Sequence, residues 1–144
     1  MDYTITTQMT FSAAHYLRGH QGSCARLHGH NWTVEVSVTT DKLDENGFVI
    51  DFLALEDILK QTLAPFDHNS LNEVAPFDIQ NPTAENIAAY IYQAINEKIK
   101  DLTSNAKVSE VTVWELGKYK ATCRKSTPPP ESKIQKGLAK DQVD

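Results

Sequence analysis

Two segments that alternate apolar and polar side chains constrain the fold most strongly. Residues 3–11 alternate from Tyr3 to Phe11, and residues 32–40 alternate from Trp32 onward. A period of two is typical of β-strands with one buried face. The connection between them, residues 12–31, holds four of the five histidines. Because long irregular connections in compact domains usually carry function, we expect the chemistry there.

Two helices and two further strands are predicted downstream. Asp51 is a good N-cap for a helix that should end before Pro65. A second helix is predicted to begin at Asn81-Pro82-Thr83, with an apolar stripe formed by Ile87, Ile91, Ile95 and Ile99. Residues 108–115 and 119–124 are strand candidates joined by a short turn at Gly117.

The order β-β-α-α-β-β predicts an α+β domain with an antiparallel sheet and both helices on one face. A length of 144 residues fits one domain, which we place at residues 1–125. From residue 126 the composition changes, with three consecutive prolines and few large apolar residues. We therefore expect residues 126–144 to be an extended, disordered tail.

Charge and hydropathy exclude some functional classes. A formal net charge of -5 argues against nonspecific nucleic-acid binding, which needs a basic face. No apolar run approaches the roughly 20 residues that span a bilayer, and the N-terminus does not resemble a secretory signal. We expect a cytoplasmic protein with no membrane partner.

Three histidines form a candidate metal site. His28 and His30 project from one face if the second strand reaches back to them. His15 follows the first strand by four residues, so pairing of the two strands would bring it beside them. Three histidines suit zinc and leave a fourth position open, as catalytic sites do. The alternative is that each histidine acts independently, and His20 is a less favoured ligand.

The two cysteines differ in their surroundings. Cys123 lies in an apolar strand, where a small buried side chain is expected. Cys24 lies among glycines and histidines. It could complete a closed structural zinc site, or it could stay off the metal and act as a general base. Sequence spacing leaves both readings open.

Further polar residues have both local and functional interpretations. Asp67 and His68 could form a proton-transfer pair or cap a loop. Glu115 ends a strand and could bind a guanidine-like ligand edge through both carboxylate oxygens. Thr83 and Glu85 suit the N-cap and first turn of the second helix.

Several dispersed motifs resemble the 6-pyruvoyl-tetrahydropterin synthase family over residues 3–124. They are Phe11-Ser12-Ala13-Ala14-His15, Cys24-x3-His28-Gly29-His30, Gly47-x3-Asp51-Phe52, Asp67-His68-x2-Leu71-Asn72, Asn81-Pro82-Thr83-x-Glu85-Asn86 and Trp114-Glu115. The three-residue gap between Cys24 and His28 is similar to the bacterial 6-carboxy-tetrahydropterin synthase branch.

The resemblance implies a lyase that converts 7,8-dihydroneopterin triphosphate to 6-carboxytetrahydropterin, acetaldehyde and triphosphate, on the route to queuosine. It implies zinc on the three histidines (His15, His28 and His30), catalysis by Cys24, Asp67 and His68, and pterin binding by Thr83, Glu85 and Glu115. It also implies trimers that close the sheets into a barrel and stack into homohexamers. Arg18, Arg26 and Lys118 are candidate cations for the triphosphate. The alternatives are the pyruvoyl-forming enzyme and a noncatalytic zinc protein with Cys24 as fourth ligand.

Overall fold

A computed structural model describes residues 1–131. The chain forms, in order, β1 (Tyr3–His15), β2 (His28–Thr40), α1 (Phe52–Leu63), β3 (Asn69–Ser70), α2 (Ala84–Leu102), β4 (Lys107–Leu116) and β5 (Tyr119–Arg124), with 3-10 turns at Ser23–Ala25 and Leu71–Glu73. The strands make one sheet in the order β3-β1-β2-β4-β5. Residues 126–131 form no helix or strand, and the rest of the predicted tail, residues 132–144, lies outside the described residues.

The β1–β2 hairpin is longer than its alternation predicts. Its antiparallel register runs without interruption from Tyr3 opposite Thr40 to His15 opposite His28. The pattern fades before the pairing ends, because the small residues at the strand ends give no apolar contrast. The predicted connection 12–31 was therefore too long, and the loop between the strands is only residues 16–27.

A short strand interrupts the predicted order. β3 pairs in parallel with β1 at two positions, Ala13 with Asn69 and Ala14 with Ser70. The sheet is therefore mixed at this edge and not wholly antiparallel. Two residues are too few to show a period of two, so no sequence pattern could have revealed this strand.

The core lies between one face of the sheet and both helices, as predicted. α1 packs over β1, and α2 lies across β4 and β5. The isoleucine stripe of α2 is at most 1% exposed, and each buried side chain of this size contributes roughly 1.5–3 kcal/mol. The predicted N-caps form, since Asp51 accepts the Leu53 N–H at 2.7 Å and Thr83 accepts the Asn86 N–H at 3.1 Å.

The opposite face of the sheet is polar. Hydroxyl pairs cross it between neighbouring strands, such as Thr6 with Ser37 and Thr112 with Thr122, each at 2.8 Å. Cys123 points to the helix side and packs against the core, as expected for a small apolar side chain. Neither helix of the described chain has the length and hydropathy to cross a membrane.

Candidate metal centre and active site

Strand register brings the three predicted metal ligands together at one end of the hairpin. His15 lies directly opposite His28, and His30 lies two residues further along β2 on the same face. The Nε2 atoms of His15 and His28 are 3.1 Å apart. His15 is the last residue of β1, and does not lie beyond the strand as the alternation predicts.

Glu115 joins this cluster from β4. Its Oε1 lies 3.2 Å from His15 Nε2 and 3.0 Å from His30 Nε2. The ligand atoms of His15, His28, His30 and Glu115 all lie within 4.8 Å of one another. From the sequence, Glu115 was expected to be an exposed carboxylate or to bind a ligand edge, not to lie against the histidines. Its place here depends on β4 lying beside β2, and the only local signal is that it continues the core-facing alternation of Val111 and Val113.

Hydrogen bonds on the far side of two rings fix their tautomers. His15 Nδ1 donates to the carbonyl oxygen of Pro82 at 2.8 Å, and His28 Nδ1 donates to that of Arg26 at 2.6 Å. Because a carbonyl oxygen only accepts, each Nδ1 carries the hydrogen, and Nε2 of the neutral ring offers its lone pair to the cluster. Such outer partners are typical of metal-ligating histidines.

Burial keeps two of the rings neutral. Desolvation lowers the pKa of His15 below 6.5, and it does the same for His30. The Glu115 carboxylate acts in the opposite direction on both, but less strongly than burial. Neutral imidazole is the form that binds metal, so these shifts favour ligation near neutral pH.

The donor set fits zinc. Tetrahedral zinc with bonds of 2.0–2.1 Å holds its ligand atoms about 3.3 Å apart, close to the 3.0–3.2 Å separations between these side chains. Among the described residues, the buried His30 Nε2 has no hydrogen-bond partner, although Glu115 Oε1 is 3.0 Å away. A shared cation would suit two ligand atoms that approach each other this closely.

Cys24 lies beside the cluster and not within it. It is partly buried in the Ser23–Ala25 turn, and its backbone oxygen accepts the Leu17 N–H at 2.8 Å. A cavity of about 630 Å³ brings together most of the predicted site, with His15, Cys24, Thr83, Glu85 and Glu115 in its lining. His20 also lines this cavity, but its Nδ1 accepts the Gly22 N–H at 2.8 Å within its own turn.

Asp67 and His68 form a hydrogen-bonded pair elsewhere on the chain. Asp67 Oδ1 accepts from His68 Nδ1 at 2.9 Å and from the Ser12 N–H at 3.0 Å, and the His68 N–H donates back to the Ser12 oxygen at 2.6 Å. The sequence left a hydrogen-bonded pair and a loop cap open, and the structure forms the pair. The left-handed backbone of His68, with φ of 60°, turns the two side chains toward each other.

The pair does not reach Cys24 within one chain. The Ser12 N–H holds the pKa of Asp67 below its usual 3.8, so the carboxylate stays charged beside the His68 ring. The His68 side chain is 81% exposed and lines a depression of about 440 Å³ beside Ser12 and Asn31. The cavity that contains Cys24 does not include it.

Arg18 has a different role from the one the sequence suggested. Its guanidinium donates to the carbonyl oxygens of Phe77, Asp78 and Gln80 at 3.0, 3.2 and 3.1 Å. Because its guanidinium already donates to three carbonyl groups, Arg18 acts as a structural clamp between the loop and residues 77–80. It is therefore a poor candidate for binding the triphosphate. Of the other cations considered, Lys118 lines the Cys24 cavity, and Arg26 is exposed.

The fold and site define an α+β protein with a cluster of three histidines and a glutamate that could hold a metal ion, beside a cavity that Cys24 lines. The sequence model of the family described as 6-pyruvoyl tetrahydropterin synthase matches residues 4–126. The chain belongs to this family.

Three relatives illustrate its range. A 6-carboxy-5,6,7,8-tetrahydropterin synthase of Bacillus subtilis is 31% identical, covering 78% of this chain and 79% of the relative. A dihydroneopterin monophosphate aldolase of Pyrococcus furiosus is 32% identical, covering 83% and 95%. The solved structure of Caenorhabditis elegans 6-pyruvoyl tetrahydropterin synthase superposes with a TM-score of 0.73 at 29% identity, covering 88% of this chain and 97% of that one.

Proposed function

We propose that the chain is a zinc-dependent 6-carboxy-5,6,7,8-tetrahydropterin synthase that acts in the cytoplasm, on the route to queuosine. It would convert 7,8-dihydroneopterin triphosphate to 6-carboxytetrahydropterin, acetaldehyde and triphosphate. One observation carries the proposal: a metal ligand, a thiol and three candidate pterin-binding side chains line a single cavity. The Bacillus subtilis relative supports the choice of branch.

His15, His28 and His30 would hold the zinc, and the Glu115 carboxylate would lie beside it. Bound there, zinc would act as a Lewis acid that makes a substrate hydroxyl easier to deprotonate. The protein's own part is to keep neutral, correctly oriented imidazoles in place, which the carbonyl oxygens of Pro82 and Arg26 do. Cys24, outside the donor set, is free to accept a proton as general base.

Pterin recognition would fall to other polar side chains that line the same cavity. The edge of a pterin offers adjacent N–H groups, which a carboxylate can accept through both oxygens. Glu85 and Glu115 line the cavity and are suited to this role. The Thr83 oxygen already accepts the Asn86 N–H at 3.1 Å, so its hydroxyl hydrogen remains available to donate to the ligand.

Asp67 and His68 would serve the reaction from a second copy of the chain. Within one chain they lie outside the Cys24 cavity. In the described part of the chain, β5 has no outer neighbour and β1 is covered by β3 only at Ala13 and Ala14. Open strand edges favour pairing between copies. We therefore propose a homohexamer, built from two trimeric barrels, with sites at subunit interfaces.

The reaction products test the proposal directly. Zinc-loaded protein is incubated with 7,8-dihydroneopterin triphosphate, the pterin is measured by mass spectrometry and acetaldehyde by a coupled assay. We expect 6-carboxytetrahydropterin and acetaldehyde, both lost in Cys24→Ala while zinc content is unchanged. Cys123→Ala is the matched control, because Cys123 packs against the core away from the cavity.

Other outcomes identify the alternatives. A pyruvoyl product without acetaldehyde would assign the sibling reaction of the family. A phosphorylated two-carbon aldehyde would assign an aldolase, the activity named for the Pyrococcus furiosus relative. No turnover, with zinc lost in Cys24→Ala, would assign a noncatalytic zinc protein in which Cys24 is a ligand.

A further inference from the structure

The loop that carries Cys24, residues 16–27, is fixed to the rest of the chain by two asparagine side chains. Asn72 accepts the Tyr16 N–H at 2.9 Å and donates to the Tyr16 carbonyl oxygen at 3.0 Å. Asn81 binds Arg18 in the same way, at 2.9 and 3.1 Å. Each side-chain amide thus replaces the partner that a neighbouring strand would offer where β1 has ended.

The residue between the two anchored positions connects them to the thiol. Leu17 lies between Tyr16 and Arg18, and its N–H donates to the backbone oxygen of Cys24 at 2.8 Å. The Arg18 guanidinium bonds to three carbonyl oxygens in the segment 77–80 that precedes Asn81. The loop and this segment therefore hold each other, and the Cys24 backbone is tied to the anchored stretch.

We propose that Asn72 and Asn81 are positioning residues that set the place of the Cys24 thiol relative to the metal cluster. Asn72 is 7% exposed, so its amide is protected from competition by water. Without the two amides, residues 16–18 would have no partner on that side and the loop would sample other conformations. A displacement of about 1 Å at a reacting group costs on the order of a hundredfold in rate.

Hydrogen exchange of the zinc-loaded full chain tests whether the anchors hold the loop. In Asn81→Ala and in Asn72→Ala, exchange of the Leu17 amide should be at least about tenfold faster, because its local opening is no longer opposed by two hydrogen bonds. Amides of the β1–β2 ladder should not change. Asn96→Ala is the matched control: Asn96 accepts the Val108 N–H at 3.2 Å, between α2 and β4. It should accelerate Val108 and leave Leu17 unchanged.

Steady-state kinetics test whether the anchors matter for the thiol, a step that rests on the proposed function. In Asn81→Ala we expect kcat to fall by about tenfold or more while KM stays within about twofold. Full zinc content and unchanged ladder exchange would exclude a smaller folded fraction as the cause. Asn96→Ala should retain the wild-type kcat.

Several results would overturn the proposal. One is unchanged Leu17 exchange in both anchor variants, and another is faster Leu17 exchange with an unchanged kcat. If Asn72→Ala does not fold, Asn81→Ala still tests the proposal. The wild-type chain tests it as well, because Leu17 exchange at the rate of an unstructured peptide would show that the loop is not anchored. A wild-type chain without turnover would refute the proposed function. The hydrogen-exchange results would then be the test of whether Asn72 and Asn81 hold the loop.

Discussion

Trp32 packs against the rings of the candidate metal site, and its replacement should reduce both stability and metal affinity. The indole is fully buried, with its centroid 4.8 Å from the His15 ring and 5.2 Å from the His30 ring. Its Nε1–H donates to the Ala13 carbonyl oxygen at 3.2 Å. Trp32→Phe removes this hydrogen-bond donor and, because phenyl is smaller than indole, reduces the packing against the His15 and His30 rings.

The magnitude follows from three contributions. A phenyl ring is smaller than indole by roughly 40 Å³, and a cavity of that size costs about 1 kcal/mol. The apolar surface no longer buried costs about another 1 kcal/mol, and leaving a buried carbonyl without its donor costs about 1 kcal/mol or more. We expect the free energy of unfolding to fall by about 3 kcal/mol. Zinc affinity should fall by about tenfold, as when an outer partner of a ligand is lost.

Urea unfolding of the metal-free protein, at fixed protein concentration, measures the first effect, and chelator competition measures the second. The control is Trp114→Phe, because Trp114 lies on the polar face of the sheet beneath Lys120 at 4.8 Å. We expect the control to lose less than about 1 kcal/mol and to retain its zinc affinity. Equal losses in the two variants would refute the reasoning, as would unchanged zinc affinity in Trp32→Phe.

Three further predictions concern the metal cluster and the proton-transfer pair. His28→Ala should abolish stoichiometric zinc binding while His20→Ala preserves it, as measured by metal analysis after dialysis; retention by both would remove His28 from the site. Burial lowers the pKa of His15 and His30 below 6.5, so at lower pH the unfolded chain binds more protons than the folded one. The metal-free protein should therefore keep its full stability above pH 6.5 and lose it progressively below, and thermal melts that stay constant from pH 7 to 5.5 would contradict this. Asp67→Asn should lower kcat by about a hundredfold with zinc content unchanged, because the amide no longer accepts the His68 proton as a charged partner; wild-type turnover in this variant would exclude the pair from the chemistry.

Most of the fold could be predicted from local sequence patterns. The periods of two and four, the N-caps at Asp51 and Thr83 and the break at Pro65 each depend on neighbours in the chain, and all appear in the structure. The end of β1 and the strand β3 were missed, because small or polar residues pair without leaving a hydrophobic period.

Only part of the candidate site could be predicted from sequence, because some of its contacts depend on strand geometry and others on residues distant in the chain. The pairing of His28 with His30 on one face follows from strand geometry, and the place of His15 follows once the two strands are paired. Whether Asp67 and His68 pair or only cap a loop could not be decided from sequence, since a left-handed backbone at His68 could not be inferred from its neighbours. The use of Arg18 as a clamp depends on carbonyl groups some 60 residues away in sequence.

By itself, the sequence determined both helices and four of the five strands, which faces are apolar, and that three histidines share one end of a hairpin. These properties depend on the regular repeat of strands and helices along the chain, which is visible in the order of apolar and polar residues. Tertiary structure decided that Glu115 lies against the three histidines, that Cys24 lies outside this cluster, and that Asp67 and His68 lie apart from Cys24 within one chain. Such choices depend on strand order, register and loop anchoring, which are set by contacts between residues distant in the chain.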